Sequence, residues 1–591
     1  MDIKIHLYNE EDNLQLKLSA VDSSKVTSLV IHGGRNLTDL SPLKRLTGLS
    51  SLELRSVHNL TDISPLAELK RLYSLKIESC MNLTDISPLN ELTQLSYFCL
   101  RDGENLIDIS PLSKLKTLNK LELIYTQNLT DISPLKDLTE LTVLYLVLCK
   151  KLTDISPLKN LTKLTYLDLS NSENLTDISP LGYLTELRNL SLYSNEKLTD
   201  LSAIKNLKNI TNLYLSYCSN INDLSPLADL KKLTILNMDS CFSVTDISPL
   251  KDLTELKTLD MTNCVNLTDI TSLNGKNNLT WLNLSENRLL TDLSPLQGTK
   301  NLNVLILKNC YNLIDLLPLN HLLNLKRLYI EHSPNITDIS PLRCLTQLNE
   351  LSLRDFEKLY DISPLTNLEL LTRLHLINLG NLTDLTPLTK LIKLISLQIK
   401  SSGKLQNLSP IQNLRELTTL HLGDLNNLTD LSPLQGLSLL SNLTLNNCHN
   451  ITNLSPIAEL KKLNSLILDN CFNITDISPL EGLEELKSLS LYNFEKLTDI
   501  SPLKALTKLT KLNLSDCKNI VDISAIEKVA NLNSLDLSSC EKISDIRPLF
   551  SLKDLKYLNI SGCSKIMDLS RLHQLEQKNP RLFLILPEHL R

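Results

Sequence analysis

Eleven of the chain's 13 cysteines share one register. Cys80, Cys149, Cys218, Cys241, Cys264, Cys310, Cys448, Cys471, Cys517, Cys540 and Cys563 are spaced by 23 residues or multiples of 23. A cysteine can hold a metal, form a disulfide or act as a nucleophile once ionised. The spacing points to none of these, because zinc sites draw ligands from pairs a few residues apart, such as CxxC. The rung is read as a ladder of reduced, buried thiols, and free thiols in this number fit a reducing compartment. Cys99 and Cys344 stand off the rung, and Cys99 is expected to face the open side of its strand.

The acidic and imidazole groups point the same way. Asp131 sits in NLTDISPL, residues 128–135, a phrase with near-copies along most of the chain. It is read as bonding local backbone in a turn rather than as one of a row of cation ligands, because short polar side chains compete well for such groups. His332, His375 and His421 share one face, but their units are not consecutive, and they are read as solvated. HExxH, GxxxxGK[ST], GxSxG and GxGxxG are all absent. No catalytic residue, metal or cofactor is expected. The NLT and NIT triplets that match a glycosylation sequon arise from the repeat itself.

What positions these groups is the repeat. From Pro42 to Arg571 a column recurs every 23 residues, and 20 of its 24 positions hold proline, the others being Ala203, Ser272, Ala525 and Arg571. Thirteen residues before the column every unit has Leu, apart from Phe98, and eleven before it every unit has Leu, Ile or Met. Two positions apart, these side chains share one face of a short strand. Leu129, Ile132, Leu135, Leu138 and Leu141 then continue the apolar line along the return path. Ser133 before Pro134 reads as a helix start, with serine as the cap and proline at the first helical position.

Each unit is therefore a strand plus a one-to-two-turn helix that cannot bury its apolar face alone, and stacked units build the core. The expected fold is an α/β solenoid, about 24 coils of 23 residues, with a parallel sheet on the concave face and short 3-10 or α turns on the convex face. The expected domains are an N-terminal cap over 1–25, the solenoid over 26–571 and a C-terminal cap over 572–591. Ile3, Ile5 and Leu7, then Leu14, Leu16 and Leu18, alternate about NEED and predict a β-hairpin for the first cap. In LEQKNPRLFLIL the period slips by one residue, which predicts a final edge strand on Leu582 and Leu584.

Composition bounds the function. The net charge of -6 and the near balance of 60 basic and 66 acidic residues exclude a basic nucleic-acid binder. No run of about 18 apolar residues and no signal-peptide pattern is present, so no membrane insertion is expected. The chain reads as a monomer that is cytoplasmic, or exported by a signal-peptide-independent route.

Recognition must use the positions the repeat leaves free, read as the strand positions pointing away from the core, which are those 14, 12, 10 and 9 before the column. Tyr97, Tyr125, Tyr145, Tyr166, Tyr193, Tyr214 and Tyr217 fall there within six consecutive coils, with Val147 and Leu148 beside them and the one tryptophan, Trp281, further on. Tyrosine and tryptophan are enriched at interface hot spots, and this stripe is the candidate site for a protein partner. Arg327, Glu331, Glu350, Arg354, Asp355, Arg373 and Lys400 follow as a mixed-charge stretch read as solvated surface.

The unit LxxLxLxxCxxLTDISPLxxLTx resembles bacterial internalin-type leucine-rich repeats and the related phosphatase-regulator type over residues 26 to about 575. The resemblance implies a non-enzymatic protein-recognition arc whose concave strands hold the partner. It leaves as alternatives a surface-exposed, internalin-like adhesin and a regulatory subunit of a protein phosphatase. The units run 23 residues rather than the usual 22 and carry cysteine where the family places asparagine. A leucine-rich-repeat ubiquitin ligase would need a separate catalytic domain, for which the repeat leaves no room.

Overall fold

The computed structural model describes residues 2–7, 14–19, 22–33, 37–567 and 569–590, and the chain divides into two compact units, Met1–Leu302 and Asn303–Arg591. Both units are built from one short strand per repeat. In the first, five-residue strands come first: β1 (Asp2–His6), β2 (Ser28–His32), β3 (Ser51–Arg55), β4 (Ser74–Glu78), β5 (Tyr97–Arg101), β6 (Lys120–Ile124) and β7 (Val143–Val147). Three-residue strands follow: β8 (Tyr166–Asp168), β9 (Asn189–Ser191), β10 (Asn212–Tyr214), β11 (Ile235–Asn237), β12 (Thr258–Asp260) and β13 (Trp281–Asn283). Each pairs in parallel with the next. The register steps by one repeat, as where Leu121 lies opposite Leu144.

The second unit repeats the plan. Its long strands are β14 (Val304–Lys308), β15 (Arg327–Glu331), β16 (Glu350–Arg354), β17 (Arg373–Ile377), β18 (Ser396–Lys400), β19 (Thr419–Gly423) and β20 (Asn442–Asn446). Its short ones are β21 (Ser465–Ile467), β22 (Ser488–Ser490), β23 (Lys511–Asn513), β24 (Ser534–Asp536), β25 (Tyr557–Asn559) and β26 (Phe583–Ile585), again all parallel. The fold is the leucine-rich-repeat solenoid the repeat arithmetic predicts.

Most letters of NLTDISPL have a place in this architecture. The Asn128 side-chain amide donates to the Glu104 carbonyl of the coil before (2.9 Å), and Asn105, Asn174 and Asn266 repeat the bond in their coils. Leu129, Ile132 and Leu135 are buried in the core. Asp131 Oδ1 accepts from the Ser133 backbone N–H (2.7 Å) and its Oδ2 from the Ser133 hydroxyl (3.0 Å). The turn that follows, Ser133–Leu135, is a 3-10 helix with proline in its first positions. The expected serine cap is therefore corrected. Ser133 is the first helical residue and its side chain makes no cap bond to the backbone, because the aspartate two residues earlier already takes the free N–H.

Two further expectations are corrected at the ends. Leu14–Ser19 is an α-helix (α1), not the second strand of a hairpin, with Leu14 and Leu18 buried and Leu16 exposed. Leucines at i, i+2 and i+4 satisfy a strand period and an i, i+4 helix face at once. Parallel pairing of β1 with β2 decides between them, because it needs a crossover rather than a tight turn. Of the predicted turn, residues 9–12 lie outside the described residues. At the other end, α2 (Leu569–Lys578) replaces the 3-10 turn, and Leu558 pairs opposite Leu584, 26 residues on. The slip is three residues, not one, because the ten-residue helix takes up more chain than a five-residue turn.

Nineteen residues before the column the residue is a core leucine in most units, yet Lys276 and Thr299 hold it in successive coils. Both are buried. Lys276 Nζ donates to the carbonyls of Leu250 (2.7 Å), Lys251 (3.1 Å) and Leu253 (3.2 Å), and the Thr299 hydroxyl donates to the Leu296 carbonyl (2.7 Å). Burial pulls the Lys276 ammonium down to about 8.

Candidate functional site

The cysteine rung is structural. All 13 cysteines are free, and every one but Cys344 is buried. The thiols of Cys218, Cys517, Cys540 and Cys563 donate to backbone carbonyls 26 residues earlier at 3.0–3.1 Å. Asn195 and Asn287 occupy the same rung and donate to the same kind of carbonyl, so cysteine and asparagine are interchangeable donors there. Burial pushes the thiols of Cys218 and Cys264 up to about 12, far from the thiolate a nucleophile needs. Among the described residues, no group of three or more His, Cys, Asp or Glu could hold a metal ion, and no helix is long and apolar enough to cross a membrane.

The stripe of candidate residues separates into three places. Tyr97, Tyr145 and Tyr166 lie on the solvent face of β5, β7 and β8, half-buried. Tyr145 and Tyr166 are in contact, with ring centroids 4.8 Å apart. Between the rings of Tyr97 and Tyr145 stands the Lys120 ammonium, 4.8 and 5.8 Å from their centroids. Tyr214, on β10, completes the row.

Tyr125, Leu148 and Tyr217 do not lie on strands. The position nine before the column is a left-handed turn just past the strand, with φ of 63° at Tyr125, 59° at Leu148 and 60° at Tyr217. This corrects the expectation that the position belongs to the strand face. The chain must turn there to drive the next residue, on the cysteine rung, into the core. Val147, the last residue of β7, stands next to Leu148. Tyr193 and Tyr217 meet edge to face at 5.3 Å and are the most exposed of the candidates, at 39% and 41%. Trp281 begins β13, three strands beyond Tyr214 on β10 and about 14 Å from it at ~4.8 Å per strand. It does not join the cluster.

Beneath the tyrosines lies a polar knot that sequence reasoning missed. Glu122 is buried, and Lys120 Nζ (2.8 Å), Tyr97 Oη (3.0 Å), Arg101 Nη2 (3.1 Å) and Cys99 Sγ (3.4 Å) all donate to its carboxylate. Burial alone would push this carboxyl up, but hydrogen bonds from Lys120, Arg101 and Cys99, with the Lys120 charge, outweigh it and hold the group at about 2. Cys99 stands in the predicted row but is buried by this cluster rather than open to solvent. The knot continues across β3 and β4, where Lys76 bridges Glu53 (2.9 Å) and Glu78 (2.7 Å) and Arg55 binds Glu53 (2.8 Å). The available signal was alternating charge at matched register, Glu53 opposite Lys76 and Glu78 opposite Arg101.

The histidines do not converge. His332 sits at a left-handed turn with Nδ1 2.5 Å from Asp355 Oδ2, while His375 and His421 lie on β17 and β19 with β18 between them. The mixed-charge stretch is partly paired within the second unit, through Lys308 with Glu331 (3.2 Å) and Arg373 with Glu350 (3.5 Å).

A family model of the BspA-type leucine rich repeat region, six copies, matches residues 33–153. A two-copy leucine rich repeat model matches residues 139–185, 162–206, 461–505, 484–528, 507–551 and 530–572. The chain is built of leucine-rich repeats. Among solved structures it is similar to the plant peptide hormone receptor RGFR1 in complex with RGF2, at 19% identity over 99% of this chain and 96% of that one, with a TM-score of 0.51. It is similar to TLR13 in its complex with ssRNA13, at 19% identity over 94% and 89%, TM-score 0.55. The functional domain of InlJ from Listeria monocytogenes, which includes a cysteine ladder, aligns at 22% identity over 68% of this chain and 75% of that one, with a TM-score of 0.41. No curated protein matched. At these identities the structural likeness speaks for the fold alone.

Proposed function

We propose that the chain is a non-enzymatic scaffold that binds a protein partner on the strand face of its first unit and the left-handed turns beside it, through Tyr97, Tyr125, Tyr145, Val147, Leu148, Tyr166, Tyr193, Tyr214 and Tyr217. One observation carries the reading. Among the described residues, 22 non-glycine residues have positive φ; seventeen are Ser, Asn or Asp, which tolerate this conformation or bond locally within it, and the other five are Tyr125, Leu148, Tyr217, Glu286 and His332. Tyr125, Leu148 and Tyr217 gain nothing from the backbone there, and all three lie beside the tyrosine belt. Residues kept against local conformational preference concentrate at functional sites. Twelve buried thiols and the exposed Cys344, none in a disulfide, fit action in a reducing compartment such as the cytoplasm.

The test has opposite signs for stability and binding. Replacing Tyr125, Leu148 and Tyr217 together by Asn is expected to stabilise the fold by about 0.5–1 kcal/mol per site, read as a raised Tm. The same variant, and the Tyr145→Ala/Tyr166→Ala/Tyr193→Ala triple, should lose a partner that the wild type captures in quantitative affinity mass spectrometry. Equal capture by all three proteins would refute the assignment.

A further inference from the structure

The face that carries the tyrosine belt is not electrically uniform. On β3–β6 every strand carboxylate lies under a cation. Side-chain exposure is 18% for Glu53, 22% for Glu78 and 5% for Glu122, against 41% for Arg55, 44% for Arg101 and 38% for Lys120. On the strands themselves the groups that reach furthest into solvent are guanidinium and ammonium, while Asp102, in the turn after β5, accepts from the Ser79 hydroxyl (3.2 Å).

On β8–β13 the pattern reverses. The strand face and the two residues after it carry Asp168, Asp239 and Asp260 and no lysine or arginine, while Arg188 and Lys257 stand one residue before their strands. Among the described residues, no ion pair reaches any of these three aspartates. Asp260 Oδ1 accepts from Thr262 N–H (3.0 Å) and Asp239 Oδ1 from the Ser240 hydroxyl (2.9 Å), which leaves their charge uncompensated. Burial and the facing Asp260 charge push the Asp239 carboxyl up, the mark of two acids held near one another.

We infer that the segment recognised by the belt is charge-ordered: acidic where it crosses β3–β6, apolar over Tyr145, Tyr166, Tyr193 and Tyr217, and basic where it crosses β11 and β12. This rests on the reading of the belt as the recognition surface and adds the partner's chemistry and its direction along the sheet. From β4 to β12 is eight strand steps, about 38 Å at ~4.8 Å each, which about 12 extended residues span. Complementary charge at both ends fixes the orientation of the bound segment and penalises the reversed one.

The probe is a fluorescein-labelled synthetic peptide of about 14 residues, Glu-rich at one end, Leu- and Phe-rich in the centre and Lys-rich at the other, titrated against the full chain by anisotropy. A peptide of the same composition with interspersed charges is the control. The block peptide should bind about tenfold more tightly or better at low ionic strength, and lose most of that advantage in molar salt. Asp239→Asn/Asp260→Asn should weaken the block peptide about fivefold and leave the control unchanged. Asn already stands at 237 and 283 in the same turns, so this variant keeps the acceptor for the Thr262 N–H. Equal affinity for the two peptides, no binding of the block peptide, or indifference to the aspartate variant each overturns the inference. If instead the Tyr145/Tyr166/Tyr193 alanine triple keeps the block peptide's full advantage, the belt is not the site and only the charge ordering stands.

Discussion

Within the first unit, β3–β7 and β8–β13 share the same core and differ on the face that solvent sees. In the long strands the outward positions hold long side chains that pair across the sheet, Glu53 with Lys76 and Arg101 with Glu122. In most of the short ones the strand ends at an Asp or Asn whose side chain takes the N–H two residues later. Asp168 binds Ser170 (2.9 Å), Asn237 binds Asp239 (3.0 Å), Asp260 binds Thr262 (3.0 Å) and Asn283 binds Ser285 (3.1 Å). A local side-chain bond competes with the ladder and ends it after three residues. The same device recurs in the second unit at Asn513, Asp536 and Asn559. At these strands the outward Asp or Asn marks the end of the ladder, whereas β9 and β10 end at Ser191 and Tyr214 without such a bond.

The largest effect tests the shared core. Leu144→Asp in β7 and Leu259→Asp in β12 each bury an unpaired charge and should cost alike, about 4 kcal/mol or more, seen as loss of the cooperative melt. A clear difference between the two would show that the strand classes differ below the surface as well.

Next comes the acid response, which should have opposite signs in the two regions. The Glu122 carboxyl is held at about 2, below its unfolded value, so its contribution is present above the unfolded value and is lost as pH falls towards 2. The Asp168 carboxyl is pushed up by burial, so folding is penalised while it is ionised and relieved as pH falls through its raised value. Glu122→Gln should lose about 1–3 kcal/mol at neutral pH and flatten the acid loss, whereas Asp168→Asn should remove the relief. Urea midpoints from pH 6 to pH 3 check both; parallel curves for the two variants would erase the contrast.

The smallest effect addresses strand length itself. Asp260→Ala removes the acceptor for the Thr262 N–H and hydroxyl and should cost about 1 kcal/mol, with faster amide exchange at Thr262 and little change two coils away. Unchanged exchange would mean that the aspartate follows the turn and does not make it.

Much of this was legible in the letters. The 23-residue register, the core rows, the buried thiol ladder, the turn role of Asp131 and a short helical return all follow from a pattern repeated often enough for each position to declare its environment, while the letters leave the 3-10 form of that return open. The ends were less legible, because a cap has no second copy to read against, and Leu14, Leu16 and Leu18 suit a helix and a strand equally. The candidate stripe was found as a row of letters, but the row merged three environments: strand face, left-handed turn and the distant Trp281.

The sequence by itself determined the solenoid and which side chains line its core, since burial of a periodic apolar row admits one solution once each unit must stack on the next. Only the tertiary structure decided what happens across neighbouring coils. That Glu122 is buried under Arg101 and Tyr97 and that Cys99 is covered depend on side chains 21 to 25 residues apart meeting in space. No local pattern states which of several outward residues will reach its neighbour, because that depends on side-chain length, register and twist acting together.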